Sequence, residues 1–314
     1  MDSGNLGFKK QFSKTFGKSL NQSVFLSEHS NFKVGGQADY FFAASTVEEL
    51  VQAVRLAKQS GMPYYIIGGG YNLLFDDDGF RGLIIKNCVR SIKKTGAAKI
   101  EAFSGTPIRE LLQFCVANNM EGFEFLAGIP GTVGGAVFGN AGAFDRDIGS
   151  FLTEALVLDK GGEQVLVDRD YFAFDYRQSR LRTSKDLLLK ATFMLQEGDQ
   201  QEIENKIAVN LAKREKKHPP RGVACAGSYF KNPMLSDGKR IPAALFLDKV
   251  GAKGLSVGGA AVFSSHANFI INQHVATTKD ILSLALELKS RVKQKFGIEL
   301  EEEVIYLPAE LSMP

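Results

Sequence analysis

The chain has few cysteines, few histidines and no long apolar run. Its three cysteines, Cys88, Cys115 and Cys225, are odd in number, and no two have Cys-x-x-Cys spacing. This pattern argues against a disulfide framework and a zinc site, and it favours a reducing, cytoplasmic compartment. The four histidines are scattered without metal-ligand spacing, so we expect no bound metal. No apolar run reaches the roughly 18 residues of a membrane span, and none is predicted.

The charge balance is also too weak to point to a large charged partner. The chain carries 38 basic and 35 acidic residues, a formal net charge of +3, with the signs interspersed. We therefore expect neither nucleic acid nor a membrane surface as a partner, whereas a small anionic substrate would need only a local cluster. The first twenty residues are basic but lack the continuous apolar stretch of a secretory signal, so we expect a frayed extension.

The common phosphate-binding and catalytic motifs are missing. Gly17-Lys18-Ser19 resembles the end of a P-loop, but the required first glycine would fall at Phe12. No G-x-G-x-x-G follows a predicted strand, which excludes the Rossmann fingerprint. H-E-x-x-H and G-x-S-x-G are also absent from the sequence.

Glycine, in contrast, is abundant: 32 residues, about one in ten. Segment 128–144 is rich in glycine, apolar between the glycines and nearly uncharged. A core strand or helix would not be expected here, because each interior glycine costs about 0.5–1 kcal/mol relative to alanine. We predict an ordered loop whose backbone N–H groups approach a large anion such as a diphosphate. A second cluster, 68–72, follows the apolar run Tyr64–Ile67, and two such loops indicate a dinucleotide held along its length.

Helical and strand patterns mix along the chain, which predicts an α+β or α/β protein. Thr46 and Glu49 form a capping box that opens one helix, and Gly61 ends it. Thr106 and Pro107 open a second helix, with the threonine as N-cap and the proline at the first helical position. Further strands are predicted at 64–67, 82–86, 155–159, 164–168, 187–195 and 304–307, with 155–159 and 164–168 joined as a β-hairpin. Further helices are predicted around 203–211 and 278–296, and the last of them begins near Thr278 and ends at Gly297.

Three more segments stand out: FDYRQS at 174–179, AGSYFKNP at 226–233 and LEEEV at 300–304. Together with segment 128–143, their order and spacing resemble the motif set of the UDP-N-acetylenolpyruvoylglucosamine reductases, also called UDP-N-acetylmuramate dehydrogenases. The similarity runs from about Asn31 to Leu307 and is to the shorter of the two subtypes of this family.

The resemblance implies an α+β protein with a two-subdomain FAD-binding fold of the vanillyl-alcohol oxidase type and a C-terminal α+β substrate-binding domain. We predict an N-terminal extension at 1–20, a first FAD-binding subdomain at 21–87 with 298–314 returning to it, a second at 88–212, and the substrate-binding domain at 213–297. His218 and the two prolines after it are the candidate boundary for this last domain.

The implied cofactor is non-covalent FAD, with NADPH as the reductant. The predicted FAD contacts come from the two glycine loops: Gly68, Gly69, Gly70, Tyr71, Asn72, Ile129, Pro130, Gly131, Gly134, Gly135, Asn140, Ala141 and Gly142. One departure from the family lies at Tyr71, where the family usually has a serine after the triple glycine. A serine hydroxyl could bond a phosphate directly, and a tyrosine does not easily occupy the same space.

The implied reaction reduces the enolpyruvyl ether of UDP-N-acetylglucosamine enolpyruvate to UDP-N-acetylmuramate, a step of peptidoglycan precursor synthesis. Hydride adds to the terminal alkene carbon, and negative charge spreads into the carboxylate, so the site needs fixed cations and a proton donor. By the resemblance, Ser228 is the donor, Arg177 binds the carboxylate and Glu303 completes the polarising group. The predicted substrate contacts are Tyr176, Arg214, Lys217, Lys231, Asn232 and His266.

Other interpretations of the same residues stay open at this point. Taken singly, Ser228 could be a turn residue, Arg177 a surface ion pair and Glu303 part of a solvated face. The chain could be a different oxidoreductase on the same FAD fold, although neither glycine loop has the His or Cys that tethers flavin covalently. A non-catalytic flavin-binding module would not need the three residues together. The sequence leaves the oligomeric state and the choice of NADPH over NADH open; we favour a monomer.

Overall fold

The computed structural model describes residues 3–311, with side chains from residue 7 onward. These residues form eight α-helices and eighteen strands. The helices are α1 Ser3–Phe16, α2 Val47–Gln59, α3 Ile108–Ala117, α4 Val133–Phe138, α5 Leu181–Ser184, α6 Gln200–Glu215, α7 Ala243–Lys249 and α8 Thr278–Phe296. The strands are β1 Asn21–Phe25, β2 Gln37–Ala44, β3 Tyr64–Ile67, β4 Leu73–Phe75, β5 Phe80–Asn87, β6 Ile92–Lys94, β7 Lys99–Phe103, β8 Met120–Glu121, β9 Gly142–Ala143, β10 Arg146–Asp147, β11 Leu152–Leu158, β12 Gln164–Asp168, β13 Leu187–Met194, β14 Gln196–Glu197, β15 Ser256–Val257, β16 Ala260–Val262, β17 Ile270–Asn272 and β18 Ile305–Leu307.

The chain divides into two compact units, each assembled from separate stretches. Unit 1 comprises residues 1–22, 40–69 and 82–214, and unit 2 comprises 23–39, 70–81 and 215–314. The break after Arg214 falls two residues beyond the predicted start of the substrate-binding domain. The finer division into four segments stays a prediction.

Unit 1 contains a five-stranded antiparallel sheet of order β12-β11-β13-β7-β6. The predicted hairpin is confirmed, with β11 pairing to β12 from Glu154 opposite Asp168 to Leu158 opposite Gln164. A core formed by the sheet, α3 and α4 buries apolar side chains that include Ile108, Leu111, Val133 and Val137. This core fixes α4, which lies inside the long glycine segment.

The N-terminal helix α1 belongs to a second core of unit 1. Phe8 and Phe12 are 1% and 0% exposed, and the Phe12 ring lies 5.0 Å from the Phe42 ring in an edge-on contact. The expectation of a frayed extension is therefore wrong for these residues. Phe8, Phe12 and Phe16 recur at four-residue spacing, which places them on one helical face, so this segment has apolar area to bury.

A four-stranded sheet of order β1-β2-β5-β3 carries the strand that leads into the first glycine cluster. Its strands β3 and β5 run parallel, with Tyr64 opposite Leu83 and Ile67 opposite Lys86. Both strands were predicted from their apolar runs, and both are confirmed.

Unit 2 contains a three-stranded antiparallel sheet, β15-β16-β17, with α7 and α8 packed in the same core. Strand β18 pairs in parallel with β4, so Ile305–Leu307 lies beside Leu73–Phe75. Helix α8 begins at a Thr277–Asp280 capping box and ends before Gly297, whose φ is +70°. The predicted start near Thr278 and the predicted stop at Gly297 are confirmed.

Of the two predicted helix starts with a threonine cap, one is confirmed and one is wrong. Thr46 Oγ accepts the N–H of Glu49 at 3.1 Å, so it caps α2 as predicted. Helix α3 begins instead at Ile108, and Pro107 takes the N-cap position without a side-chain bond. The hydroxyl of Thr106 both accepts from and donates to the main chain of Ser91, at 3.2 and 3.1 Å. The Thr106 hydroxyl is therefore not available to cap α3.

Two further features are absent from the described residues. None of their helices is long and apolar enough to cross a membrane. Nor do they contain a cluster of three or more His, Cys, Asp or Glu side chains arranged to hold a metal ion.

We expect Phe12→Ala to lower the free energy of unfolding by about 3–5 kcal/mol, because it removes a fully buried ring and leaves a cavity. Urea unfolding followed by circular dichroism measures the change. Phe25→Ala is the matched control, since Phe25 is 51% exposed, and its effect should be less than about 1 kcal/mol. Equal losses in the two variants would contradict the packing of α1.

Candidate active site

In unit 1, Arg177 lies at the tip of a tight turn. Asp175 and Gln178 exchange two main-chain hydrogen bonds, each of 3.1 Å, so Tyr176 and Arg177 form the two-residue tip. Arg177 has a φ of +55°, in the left-handed region that residues with a side chain rarely adopt. Such a conformation persists only where neighbouring contacts enforce it, and it is typical of functional sites.

Those neighbouring contacts come from the segment around α4. Asn140 Nδ2 donates to the carbonyl of Asp175 at 3.0 Å, while Asn140 Oδ1 accepts the N–H of Gly149 at 3.0 Å. Ser179 Oγ donates to the carbonyl of Phe138 at 2.8 Å. Asn140 is 4% exposed, so its amide braces the turn that carries Arg177. Its predicted contact with the cofactor stays a prediction.

A second guanidinium, that of Arg214 in the last turn of α6, lies near Arg177. Burial lowers the pKa of Arg214, and the charge of Arg177 lowers it further. Its Nε is buried and has no hydrogen-bond partner among the described residues. The guanidinium carbon lies 5.6 Å from the centre of the Phe144 ring. Two close cations with an unsatisfied buried donor fit an anionic ligand, which would supply both charge and acceptors.

The long glycine segment is partly helical, which corrects the expectation of a loop throughout. Helix α4 contains Gly134 and Gly135, and Thr132 Oγ1 caps it by accepting the N–H of Gly135 at 3.3 Å. Gly134 donates its N–H to the carbonyl of Ser104 at 2.7 Å, and a Cβ there would lie only 3.1 Å from the Cβ of Ser104. Close packing of the helix against this residue thus outweighs the low helix propensity of glycine.

The glycines of unit 1 serve two different purposes. A Cβ on Gly68 would come within 2.6 Å of Thr132 Oγ1, so this glycine lets the two glycine loops pack together. Gly131 has a φ of +130°, and none of the described residues has an atom within 4 Å of where its Cβ would lie. The main chain at Gly131 therefore borders open space, as a loop that receives a ligand requires.

In unit 2, the segment after Ser228 pairs with the segment that ends at Glu303. The N–H of Glu303 donates to the carbonyl of Tyr229 at 2.8 Å, and the N–H of Lys231 donates to the carbonyl of Glu301 at 2.8 Å. The structure therefore brings two of the three predicted catalytic residues, Ser228 and Glu303, onto neighbouring segments of the chain. Ser228 itself is half-buried.

The three glutamates of this run have different surroundings. Glu301 forms an ion pair with Lys231, and Glu302 forms one with Lys289 at 2.8 Å. Glu303 is held through its main chain, because its carbonyl accepts Asn72 Nδ2 at 3.0 Å. These contacts do not distinguish a catalytic acid within the run, so the choice of Glu303, made by resemblance, stays a prediction.

Residues 70–72 of the first glycine cluster lie in unit 2, beside the segment of Glu303. Gly70 has a φ of +70°, and a Cβ there would overlap the carbonyl oxygen of His29. Asn72, besides its side-chain bond to Glu303, accepts the N–H of Ile305 at 3.0 Å. Tyr71 stands between them and is 39% exposed. In unit 2 the predicted cofactor residue Asn72 is thus bonded directly to a predicted catalytic residue.

The remaining predicted substrate contacts of unit 2 have partners within the protein. Asn232 Oδ1 accepts the N–H of Ala243 at the start of α7, at 3.1 Å. His266 Nδ1 accepts the N–H of Asn268 at 3.2 Å. Burial lowers the pKa of His266, and the nearby charge of Lys217 contributes in the same direction. A neutral imidazole that accepts at Nδ1 carries its proton at Nε2 and can donate from there. The substrate contacts of these residues stay predictions.

The structure places Asn268, whose role the sequence leaves open between a substrate contact and a satisfied polar residue, against the Ser228 segment. It is 3% exposed, and its side chain bonds both main-chain polar groups of Phe230. The signal in the sequence is an amide within the otherwise apolar run 267–271. A buried amide must find partners, but the sequence does not say which.

Comparison with family models identifies both parts of the chain. Residues 218–307 match the C-terminal domain of UDP-N-acetylenolpyruvoylglucosamine reductase, and residues 38–168 match an FAD binding domain. These matches confirm the predicted fold, an FAD-binding part followed by a C-terminal substrate-binding part.

Individual relatives agree with the family models. The chain is 37% identical over 286 residues to a UDP-N-acetylenolpyruvoylglucosamine reductase of Clostridium botulinum, covering 91% of this chain and 92% of that protein. It is 35% identical over 298 residues to the one of Clostridium beijerinckii, covering 95% and 96%. The solved structure of the Thermus caldophilus reductase superposes with a TM-score of 0.78 at 30% identity, covering 92% of this chain and 100% of that one. This chain belongs to the UDP-N-acetylenolpyruvoylglucosamine reductase family.

Proposed function

We propose that this chain is an NADPH-dependent flavoprotein that reduces UDP-N-acetylglucosamine enolpyruvate to UDP-N-acetylmuramate during peptidoglycan precursor synthesis. The observation that carries the proposal is the main-chain pairing of residues 229–231 with residues 301–303, which supports Ser228 and Glu303 as members of one site in unit 2. Membership of the family supplies the substrate and the reaction.

The residues present fit FAD as the cofactor. Gly131 offers main chain that borders open space, and α4 and Thr132 hold this part of the loop in place. We assign FAD binding to residues of 68–72 and 129–142, as the sequence predicts. When bound and reduced by NADPH, FAD supplies the hydride that adds to the terminal alkene carbon of the substrate.

Arg177 binds the substrate carboxylate in this proposal. Negative charge builds on the carbon next to that carboxylate as hydride arrives, and a fixed guanidinium stabilises it most when it does not need to reorganise. The turn at 175–178, held by Asn140 and Ser179, supplies that rigidity. Arg214 and Lys217 bind the substrate diphosphate, and the buried Nε of Arg214 gains an acceptor by doing so.

Ser228 donates the proton to the carbon that carries the developing charge. A serine hydroxyl is a weak acid in water, but an enolate carbon is a strong base, so the position of the hydroxyl matters more than its pKa. Glu303 polarises this group from the neighbouring segment. Lys231 keeps its ion pair with Glu301 and adds positive charge next to the donor.

We also infer that the reaction takes place in the cytoplasm. All three cysteines of the chain are free thiols in the structure. Free thiols support a reducing compartment, because oxidising compartments favour disulfides. The sequence shows no feature that requires an oligomer, and a monomer is the simplest state for the proposed enzyme.

Anaerobic flavin spectroscopy on the purified holoprotein tests the proposed function. NADPH should bleach the bound flavin, and UDP-N-acetylglucosamine enolpyruvate should then restore its absorbance. Reduction without reoxidation by the enolpyruvyl sugar would redirect the function to another flavin oxidoreductase. Failure to bind FAD at all would overturn the cofactor assignment.

We expect Ser228→Ala to slow reoxidation of the reduced flavin by about 10²–10⁴-fold, the usual contribution of a proton-transfer group. Flavin content and reduction by NADPH should stay at wild-type levels, because neither uses the hydroxyl. Ser236→Ala, at an exposed serine of the same unit, is the matched control and should reoxidise normally. Wild-type reoxidation in Ser228→Ala would remove Ser228 from the mechanism.

We expect Tyr71→Ser to retain FAD or to bind it more tightly. Tyr71 is 39% exposed, so only part of its ring packs on the protein, whereas a serine hydroxyl adds a donor for a phosphate. Titration of the apoprotein with FAD, followed by flavin fluorescence, gives the dissociation constants. A loss of affinity of tenfold or more would mean that the tyrosine ring packs on the cofactor.

A further inference from the structure

We propose that Asn268 is a positioning residue: it holds the segment that carries Ser228 against the segment that carries Glu303. This inference rests on the proposed function, because it concerns the delivery of the proton in that reaction. Asn268 lies two residues before β17 and acts on Ser228 through the main chain of the residues that follow the serine.

The amide of Asn268 satisfies both main-chain polar groups of one residue. Its Oδ1 accepts the N–H of Phe230 at 2.9 Å, and its Nδ2 donates to the carbonyl of Phe230 at 2.8 Å. Its own carbonyl accepts the N–H of Tyr229 at 2.8 Å. Three hydrogen bonds from one residue thus fix the two residues that follow Ser228.

The same short segment is bonded to residues 301–303. Tyr229 accepts the N–H of Glu303, and Lys231 donates to Glu301, each at 2.8 Å. Phe230 also forms an isolated antiparallel bridge with Glu302. Residues 229–231 are therefore bonded to Asn268 and to the glutamate run together. The position of Ser228 relative to Glu303 depends on both sets of bonds.

Few side chains could replace the Asn268 amide. The site needs one donor and one acceptor a fixed distance apart, and among side chains of this size only asparagine offers both. Asn268 is 3% exposed, so water does not readily replace a lost bond. A carboxylate in its place would accept from Phe230 N–H but would face the Phe230 carbonyl without a proton to donate. That repulsion would shift the segment while leaving the shape of the side chain almost unchanged.

Asn268 also contacts a second residue of the proposed site. Its N–H donates to His266 Nδ1 at 3.2 Å, which leaves the proton of the neutral imidazole at Nε2. A displacement of Asn268 would therefore move both the Ser228 segment and the His266 ring. Misplacement by about 1 Å can reduce the rate of a positioned reaction by about 10²-fold.

The two half-reactions of the holoenzyme separate positioning from a general structural role. Reduction of the flavin by NADPH does not use Ser228, whereas reoxidation by the enolpyruvyl sugar does. In Asn268→Asp, normalised to bound flavin, we expect stopped-flow reduction within about twofold of wild type. We expect reoxidation at saturating substrate to be about 10–100-fold slower. If the Asn268→Asp variant does not retain flavin, the same two half-reactions are measured in Asn268→Ser, which is neutral and smaller. The expected result is the same.

Asn272→Asp provides a matched control at an asparagine four residues further along the chain. Asn272 Nδ2 donates to the carbonyl of Phe32 at 3.0 Å, and its Oδ1 accepts the N–H of Ala276 at 2.9 Å. The Asn272→Asp variant therefore loses the same kind of hydrogen bond to a main-chain group as Asn268→Asp does. It loses no bond to the residues that follow Ser228. Both half-reactions per bound flavin should match wild type in this variant.

Two results for the Asn268 variants would overturn the inference. Unchanged reoxidation would mean that the amide does not position the donor. Equal slowing of both half-reactions would mean that its role is only structural. If the wild-type enzyme itself were not reoxidised by the enolpyruvyl sugar, the proposed function would fail, and this inference would fail with it.

Discussion

The hydrogen bonding of residues 229–231 is the constraint on which the candidate site of unit 2 depends. This segment belongs to no regular sheet, yet its main chain is bonded both to Asn268 and to the run 301–303. Because Ser228 and Glu303 adjoin this segment, their positions are set by the backbone and by one buried amide. Residues 70–72 join the same network through Asn72, so residues predicted to hold the cofactor and residues predicted to act on the substrate share one set of bonds.

Unit 1 holds two positive charges in a partly buried place. Arg177 and Arg214 repel each other, and burial weakens the hydration of Arg214. In the proposed function an anionic substrate relieves both penalties, so its binding would gain from an unfavourable arrangement that the fold imposes beforehand. The strain is local: Asn140 and Ser179 fix the turn of Arg177 with neutral hydrogen bonds, and the core of the five-stranded sheet supports them.

The sequence was most informative where a local pattern decides the structure. The hairpin β11–β12, helix α8 and its Gly297 stop, and strands β3 and β5 follow from periodicity and turn residues. The predictions from the sequence were wrong where contacts between residues far apart in the chain determine the local structure. The helix start at Ile108 moved because Thr106 bonds Ser91, and α1 is ordered because its phenylalanines meet Phe42. Glycines within 133–138 form a helix because Ser104 lies against them. The sequence does not show which group Asn268 bonds, since its partner Phe230 is 38 residues away in sequence.

The parallel pairing of β18 with β4 has a consequence for how the protein folds. Leu73 and Ile305 are partners across more than two hundred residues, and most of unit 1 lies between them in sequence. Closing so long a loop is entropically unfavourable and slow when the intervening chain is unfolded. Collapse of the stretch 82–214 into its own core shortens the effective loop. We therefore expect unit 1 to order first, so that the network joining Ser228, Glu303 and Asn72 is the last part of the enzyme to become competent.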